Sequence, residues 1–472
     1  MGVLQPGARQ PAAKPGNPVV LLGFQWRMAA QAGNYLERRR HDPEAEERFL
    51  RGHPKPLAQG TLRSMGLGLI TGAADDDPSA IGTYASAGAS LGPSFLWMAP
   101  VTFPMMFAVV YLCSKLGLVA GRGLFDVIRQ NYSRPILYFF LITAVVGNII
   151  EAGADIGGMA AALNLLVPIP ISGLVVAITL TILGLQIWGS YRLIRDVFRW
   201  LALALLAYIG SAFLAKPELL PTLRGTLIPT IEFNKDFLAM LVAVVGTTLS
   251  AYLYSWQSNQ DVEENISIGR RRLADRMGTT KEELHRSGRD VGLGMLFSNI
   301  VMYFIILSTA STLFKAGQHD INTAAEAAQA LRPLAGNAAE LFFAIGVIGV
   351  GFLAVPVMTI GAAYDLCQTF GWRHGLHVEM GEATKFYGAI VAFTLVAMGL
   401  NFFGINPMKA LVFAGMVQGF STPFLMLVLM LITNNPKIVG RWTNSWQMNL
   451  LGWLTTLAMF AAALGLLWTW VR

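Results

Sequence analysis

The sequence predicts an all-α integral membrane protein, and three observations carry that prediction. Hydrophobic residues make up 54% of the 472-residue chain and charged residues only 13%, about half the charged share of an ordinary soluble domain. From residue 61 to the C-terminus apolar runs recur, many of them reaching the roughly 20 residues that a helix needs to cross a bilayer. Lysine and arginine also alternate between rich and poor connections, which is the charge bias that orients membrane helices.

Residues 1–60 are rich in Pro, Gly, Arg and Glu, and their one apolar patch, "VVLLGFQW" at Val19–Trp26, is far too short to span. The segment lacks a signal-peptide layout, and "MGVLQPG" lacks the Ser or Thr of a myristoylation site. A largely disordered cytosolic tail with a surface-lying amphipathic helix is expected. Eleven spans follow, near 61–91 (broken), 95–114, 135–166, 169–189, 197–215, 237–256, 290–314, 338–366, 386–402, 408–433 and 447–470. With the N-terminus inside, the tail through Arg63 and the inner loops hold 28 of the 35 Lys and Arg residues, a fourfold excess. That excess sets the orientation and absorbs the net charge of +7, so no nucleic-acid partner is implied. A bacterial inner (plasma) membrane is the expected location, and the lipid bilayer is the expected surrounding.

The longest inner loop, Gln257 to Asp290, contains "GRRRLADRMGTTKEELHR". A charged cytosolic helix or two is expected there, because "TTKEE" is an N-cap signature. Cys113 and Cys367 fall in or beside apolar segments and suggest no disulfide framework. No CxxC, P-loop, GxSxG or HExxH pattern is present; neither an enzyme nor a cofactor is expected, and oligomeric state has no signal.

The first span holds an anomaly. "GAADDDPSAIGTYASAGA", Gly72 to Ala89, carries three consecutive aspartates into apolar surroundings. Carboxylates at bilayer depth are expensive and mark ion or proton routes. Pro78 lacks an N–H and disfavours helical geometry at Asp77, so one half-helix should end before it and another begin at it. Unwound backbone at mid-membrane is tolerated where it lines a cavity or is buried in protein. Carbonyls beside carboxylates make an oxygen-rich cation site.

A carrier built from two repeats would show a partner break in its second half. The sixth span contains "AVVGTTLSAYLYSW", Ala243 to Trp256, in which Gly246, Thr247, Thr248 and Ser250 form a helix-weak window. It has no proline, so an intact helix whose Ser and Thr bond back to its own carbonyls is the competing reading.

At these two windows the sequence resembles the NRAMP family of divalent-metal transporters, over about residues 61–433. The family's first helix carries Asp-Pro-Gly-Asn, then a Gln-Ala-Gly-Ala-like tract. Here Asp77-Pro78-Ser79-Ala80 leads without gaps to Ser86-Ala87-Gly88-Ala89. The family's Met-Pro-His falls on Ser250, Ala251 and Tyr252. Keeping Asp-Pro while losing Asn, Met and His is similar to the divergent NRAMP-related magnesium transporters. The resemblance implies a LeuT-type fold of two inverted five-helix repeats, about 61–215 and 237–433, with helices 1 and 6 broken. Residues 434–472 would add a loop and an eleventh helix.

The resemblance places the metal on Asp77 and, by alignment, on the Thr247 carbonyl and the Ser250 hydroxyl; Asp76, the neighbouring acid, is the next candidate after Asp77, directly or through water. Ala80 stands where the family has its Asn. Without a soft methionine thioether the pocket offers oxygen only and gains room, which suits partly hydrated Mg²⁺, and Mn²⁺ as well. For Asp75 a helix-end or solvated-vestibule role stands against direct ion contact. Tyr252 and Trp256 read as packing or interface aromatics rather than cavity wall.

Family members move protons with the metal. The six histidines, at 41, 53, 285, 319, 374 and 377, fall in the tail or expected loops, so the best proton-relay side chain is missing from the spans. Glu151 and Asp155 in the third span lie four apart on one helix face. They are either structural acids or a residual proton route. The expectation is a Mg²⁺ and Mn²⁺ importer working by alternating access as an uncoupled electrogenic uniporter. The alternatives are a proton-coupled Mn²⁺/Fe²⁺ symporter and a sodium-coupled organic-solute carrier, whose substrate carboxylate the three aspartates would repel.

Overall fold

The computed structural model describes residues 67–188 and 206–471. The expected tail over 1–60 and the start of the fifth expected span, near 197, lie outside the described residues. Among the described residues the secondary structure is helical, with no strand.

The first expected span is two helices, α1 (Leu67–Asp75) and α2 (Pro78–Leu91). Pro78 stands in the first turn of α2, where a missing N–H costs nothing. Asp77 is extended (φ −64°, ψ 172°) and caps α2 by accepting from the Ala80 N–H at 2.7 Å. Next come α3 (Met98–Ala120), α4 (Leu124–Asn131), α5 (Arg134–Asn164) and α6 (Ile171–Trp188). Helices α7 (Ala207–Leu214) and α8 (Leu219–Leu227) lead to the sixth span.

That span is also broken. Helix α9 (Lys235–Thr248) stops, Leu249 and Ser250 leave helical geometry, and α10 (Ala251–Ser267) starts again. After it run α11 (Lys281–Thr309), α12 (Ala339–Phe370), α13 (Thr384–Leu400), α14 (Pro407–Thr433) and α15 (Trp446–Val471). Among the described residues, eight segments are long and apolar enough to cross a membrane unaided, α9 and α10 counting together.

Two boundaries differ from expectation. Helix α10 runs to Ser267 rather than Trp256, and α11 begins at Lys281 rather than near 290. Hydropathy loses α10 at the tract Gln257–Asp261, yet that tract is buried, with several of its polar groups answered by neighbouring helices or within α10. Thr71 donates to Gln257 at 2.7 Å, Gln257 to Asp261 at 3.1 Å, and Asn259 accepts from Gln368 at 2.5 Å. The N-cap signature holds, with Thr280 and Glu283 forming a reciprocal capping box on α11.

Small residues bring the broken helices close to their supports. A side chain at Gly72 would strike the Gly294 backbone of α11, and one at Gly246 would strike Gly415 and Gly419 of α14. Helix α5 packs against α12, α13 and α14 and also meets α2. Both breaks reach it.

Candidate cation site

Helix α5 holds the two breaks through the acids that its sequence places on one face. Asp155 accepts from the Ser79 N–H at 2.8 Å and the Ser79 hydroxyl at 2.5 Å, which ties it to the first turn of α2. Glu151, one turn earlier, accepts from Ser250 Oγ and from Gln418 Nε2, both at 2.7 Å. One acid thus grips each break. Gln418 Oε1 in turn accepts from the Ala251 N–H at 3.2 Å, so α10 is capped by a side chain from α14.

A phenol joins the two breaks directly. Tyr252, in the first turn of α10, places its hydroxyl 3.0 Å from the Ala74 carbonyl oxygen and 3.3 Å from Asp77 Oδ2. Ser250 Oγ also lies 3.0 Å from the Thr247 carbonyl, and Thr247 Oγ1 is buried without a partner among the protein atoms. Ala80 contributes its N–H to Asp77 and otherwise only a buried methyl.

The other two aspartates turn toward α11. Ser298 Oγ lies 2.7 Å from Asp75 Oδ2 and 3.2 Å from Asp76 Oδ1. Asp75, Asp76, Asp77, Glu151 and Asp155 are all fully buried. Asp75 therefore ends α1 but sits in no solvated vestibule. Among the described residues no three of His, Cys, Asp and Glu converge as a ready-made metal cage. What converges is mixed oxygen: carboxylates, the hydroxyls of Ser79, Ser250 and Tyr252, and the carbonyls of Ala74 and Thr247. Buried carboxylates short of partners are costly unless counter-charge or protons arrive.

Sequence reasoning missed Ser298 and Gln418, and it read Tyr252 as packing. The available signal was polar side chains within an apolar helix, Ser298 beside Asn299 in "LFSNIV" and Gln418 alone in "GMVQGF". Trp256 is a buried core residue. The described histidines stay away from the breaks. His285 lies in the exposed start of α11 rather than in a loop, while His319, His374 and His377 meet Ala89, Trp372 and Glu263.

Solved structures share this architecture. A manganese transporter from Eremococcus coleocola, in complex with an aromatic bis-isothiourea substituted compound, superposes with a TM-score of 0.67 at 16% identity, over 88% of each chain. Mhp1, a nucleobase-cation-symport-1 family transporter, gives 0.52 at 14% identity over 85% of this chain and 91% of its own. The class is an integral membrane protein of the LeuT-type fold, with helices 1 and 6 broken.

Sequence comparison narrows this further. The family model described as natural resistance-associated macrophage protein-like matches residues 68–469. The divalent metal cation transporter MntH of Klebsiella pneumoniae is 24% identical over 395 residues, 83% of this chain and 90% of that protein. MntH of Deinococcus radiodurans is 25% identical over 426 residues, 89% and 93%. The chain belongs to the NRAMP family.

Proposed function

We propose that this protein imports Mg²⁺, and Mn²⁺ beside it, by alternating access as an uncoupled electrogenic uniporter with its N-terminus in the cytoplasm. Asp77 is the central ligand. The Ser250 hydroxyl and the Thr247 carbonyl face the ion from the sixth helix, Asp76 adds charge nearby, and Ala80 leaves room for retained water. The observation that carries this reading is the oxygen-only meeting of the two breaks, joined by Tyr252 across Ala74 and Asp77. Hard oxygen donors suit a hard, reluctantly dehydrated ion. The divalent class draws further support from the relatives named divalent metal cation transporters and the neighbour named a manganese transporter.

Coupling is not needed to drive uptake. Two charges moving down about 100 mV release roughly 4.6 kcal/mol, enough for a gradient on the order of a thousandfold. Both oxygens of Glu151 are engaged by Ser250 and Gln418, which fits a structural role. The second reading, a proton-coupled Mn²⁺/Fe²⁺ symporter, draws on Asp155, whose Oδ2 is buried without a partner among the protein atoms. Liposomes loaded with a pH dye separate the two: Mg²⁺ entry without acidification is expected, and acidification that tracks entry rejects the uncoupled mechanism.

A further inference from the structure

The three consecutive aspartates do not share one destination. Asp77 faces Ala80 and Tyr252, whereas Asp75 and Asp76 face Ser298 of α11. A serine hydroxyl has one proton to give, so it satisfies at most one of two carboxylates at a time. Asp75 Oδ1 and Asp76 Oδ2 are fully buried and have no hydrogen-bonding partner among the protein atoms.

An independent group points to the same place. Tyr84 of α2 is wholly buried, and its hydroxyl too lacks a partner. Helical side chains lean toward their own N-terminus, so from α2 this phenol reaches back toward the break. It comes within electrostatic range of Asp75, Asp76 and Asp77. No packing requirement explains an unsatisfied phenol there, since phenylalanine would fill the same space without the cost.

We propose that Asp75, Asp76, Ser298 and Tyr84 form a second site for a hard divalent cation, beside the Asp77 site and distinct from it. The two carboxylates supply charge, and the hydroxyls of Ser298 and Tyr84 orient water that the ion retains, the pattern by which Mg²⁺ is usually held. The identity of the ion rests on the reading given for Asp77. Two doubly charged ions side by side repel, so occupancy of one position speeds departure from the other, as in multi-site conduction.

The test is equilibrium binding of Mn²⁺ to the full-length protein in nanodiscs, together with Mg²⁺ flux in liposomes. Wild type is expected to bind two Mn²⁺ per chain. The Asp77→Ala variant and the double variant Asp75→Asn/Asp76→Asn should each bind one, and Ser298→Ala should weaken one class about tenfold. One Mn²⁺ per chain in wild type, lost on Asp77→Ala, overturns the second site and leaves the Asp77 reading intact. One Mn²⁺ that survives Asp77→Ala and disappears with Asp75→Asn/Asp76→Asn keeps this site and rejects Asp77 as the ligand. No Mn²⁺ on wild type rejects both. If the double variant fails to fold, Ser298→Ala decides: unchanged binding in both classes overturns the site.

Discussion

Replacing Asp77 separates its two roles, because the side chain is both an N-cap and the proposed central ligand. As a cap it accepts the Ala80 N–H at 2.7 Å, worth about 1 kcal/mol, and asparagine caps as well as aspartate. As a ligand it supplies charge. A unit charge about 4 Å from a doubly charged ion, at an effective dielectric of about 20, gains roughly 8 kcal/mol gross. Dehydration of the ion and the carboxylate offsets most of that, leaving about 2.7 kcal/mol, or about a hundredfold in transport. Asp77→Asn should therefore keep wild-type thermal stability and lose about a hundredfold in Mg²⁺ uptake. Asp77→Ala should lose the same transport and about 1 kcal/mol of stability besides. The assay is Mg²⁺ uptake into liposomes at a fixed inside-negative potential, paired with thermal unfolding of the same preparations. An Asn variant that transports at more than about a tenth of the wild-type rate would refute the ligand role.

Other substitutions test the same geometry. Ser250→Met adds a soft thioether and should raise Cd²⁺ over Mg²⁺ selectivity about tenfold or more, read by competitive flux; unchanged selectivity undercuts the hard-donor argument. Gly246→Val drives a side chain into the backbone of Gly415 and Gly419 and should cost at least about 3 kcal/mol, seen as loss of the monodisperse peak; a normally folded variant would refute the close crossing. On α4, burial alone would raise the Asp126 carboxyl, but hydrogen bonds and charge from Arg129 and Arg122 outweigh it and hold the group below its ordinary 3.8. Its stabilisation is therefore present above pH 3.8 and fades as pH falls through the lower folded value. Asp126→Asn should cost about 1 kcal/mol at neutral pH, and a wild-type advantage unchanged from about pH 6 to about pH 3 would contradict this.

How legible each feature was in the sequence depended on how local its cause is. The first break is written in Asp77-Pro78 itself: the proline forbids continuation, and the aspartate caps the new helix through the N–H of Ala80. The second break lacks such a signature because its cap is remote. Ser250 turns its hydroxyl to Glu151 and to the preceding carbonyls, and the Ala251 N–H is answered by Gln418, 167 residues away. Glu151 and Asp155 were visible as acids on one face, but their division between the two breaks was not. Ser298 and Tyr252 carry hydroxyls whose importance depends wholly on which carboxylate the fold brings near. The end of α10 was misplaced for a related reason, since hydropathy reads Gln257–Asp261 as loop while Thr71 and Gln368 supply the partners that keep it buried.

Ser250 shows why a hydroxyl, rather than simply the absence of a thioether, matters at the second break. Its hydroxyl lies 2.7 Å from Glu151 Oε1, nearer than the Thr247 and Gly246 carbonyls at 3.0 and 3.1 Å, and with its one proton given to Glu151 the oxygen lone pairs remain for a cation. An ion can therefore bind Ser250 without releasing the clamp that joins α5 to the sixth helix. A thioether has no proton to give, so a methionine there would bind soft ions only by leaving Glu151 with Gln418 as its one remaining donor. Loss of the clamp lowers transport of every ion, whereas a change of donor chemistry alters their ranking. Ser250→Ala, which removes both the clamp and the hydroxyl donor and adds no sulfur, should thus slow every ion and Mg²⁺ more than Cd²⁺, and the ratio between the two ions reports the ligand. Hardness of the site and coherence of the two breaks depend on the same oxygen atom.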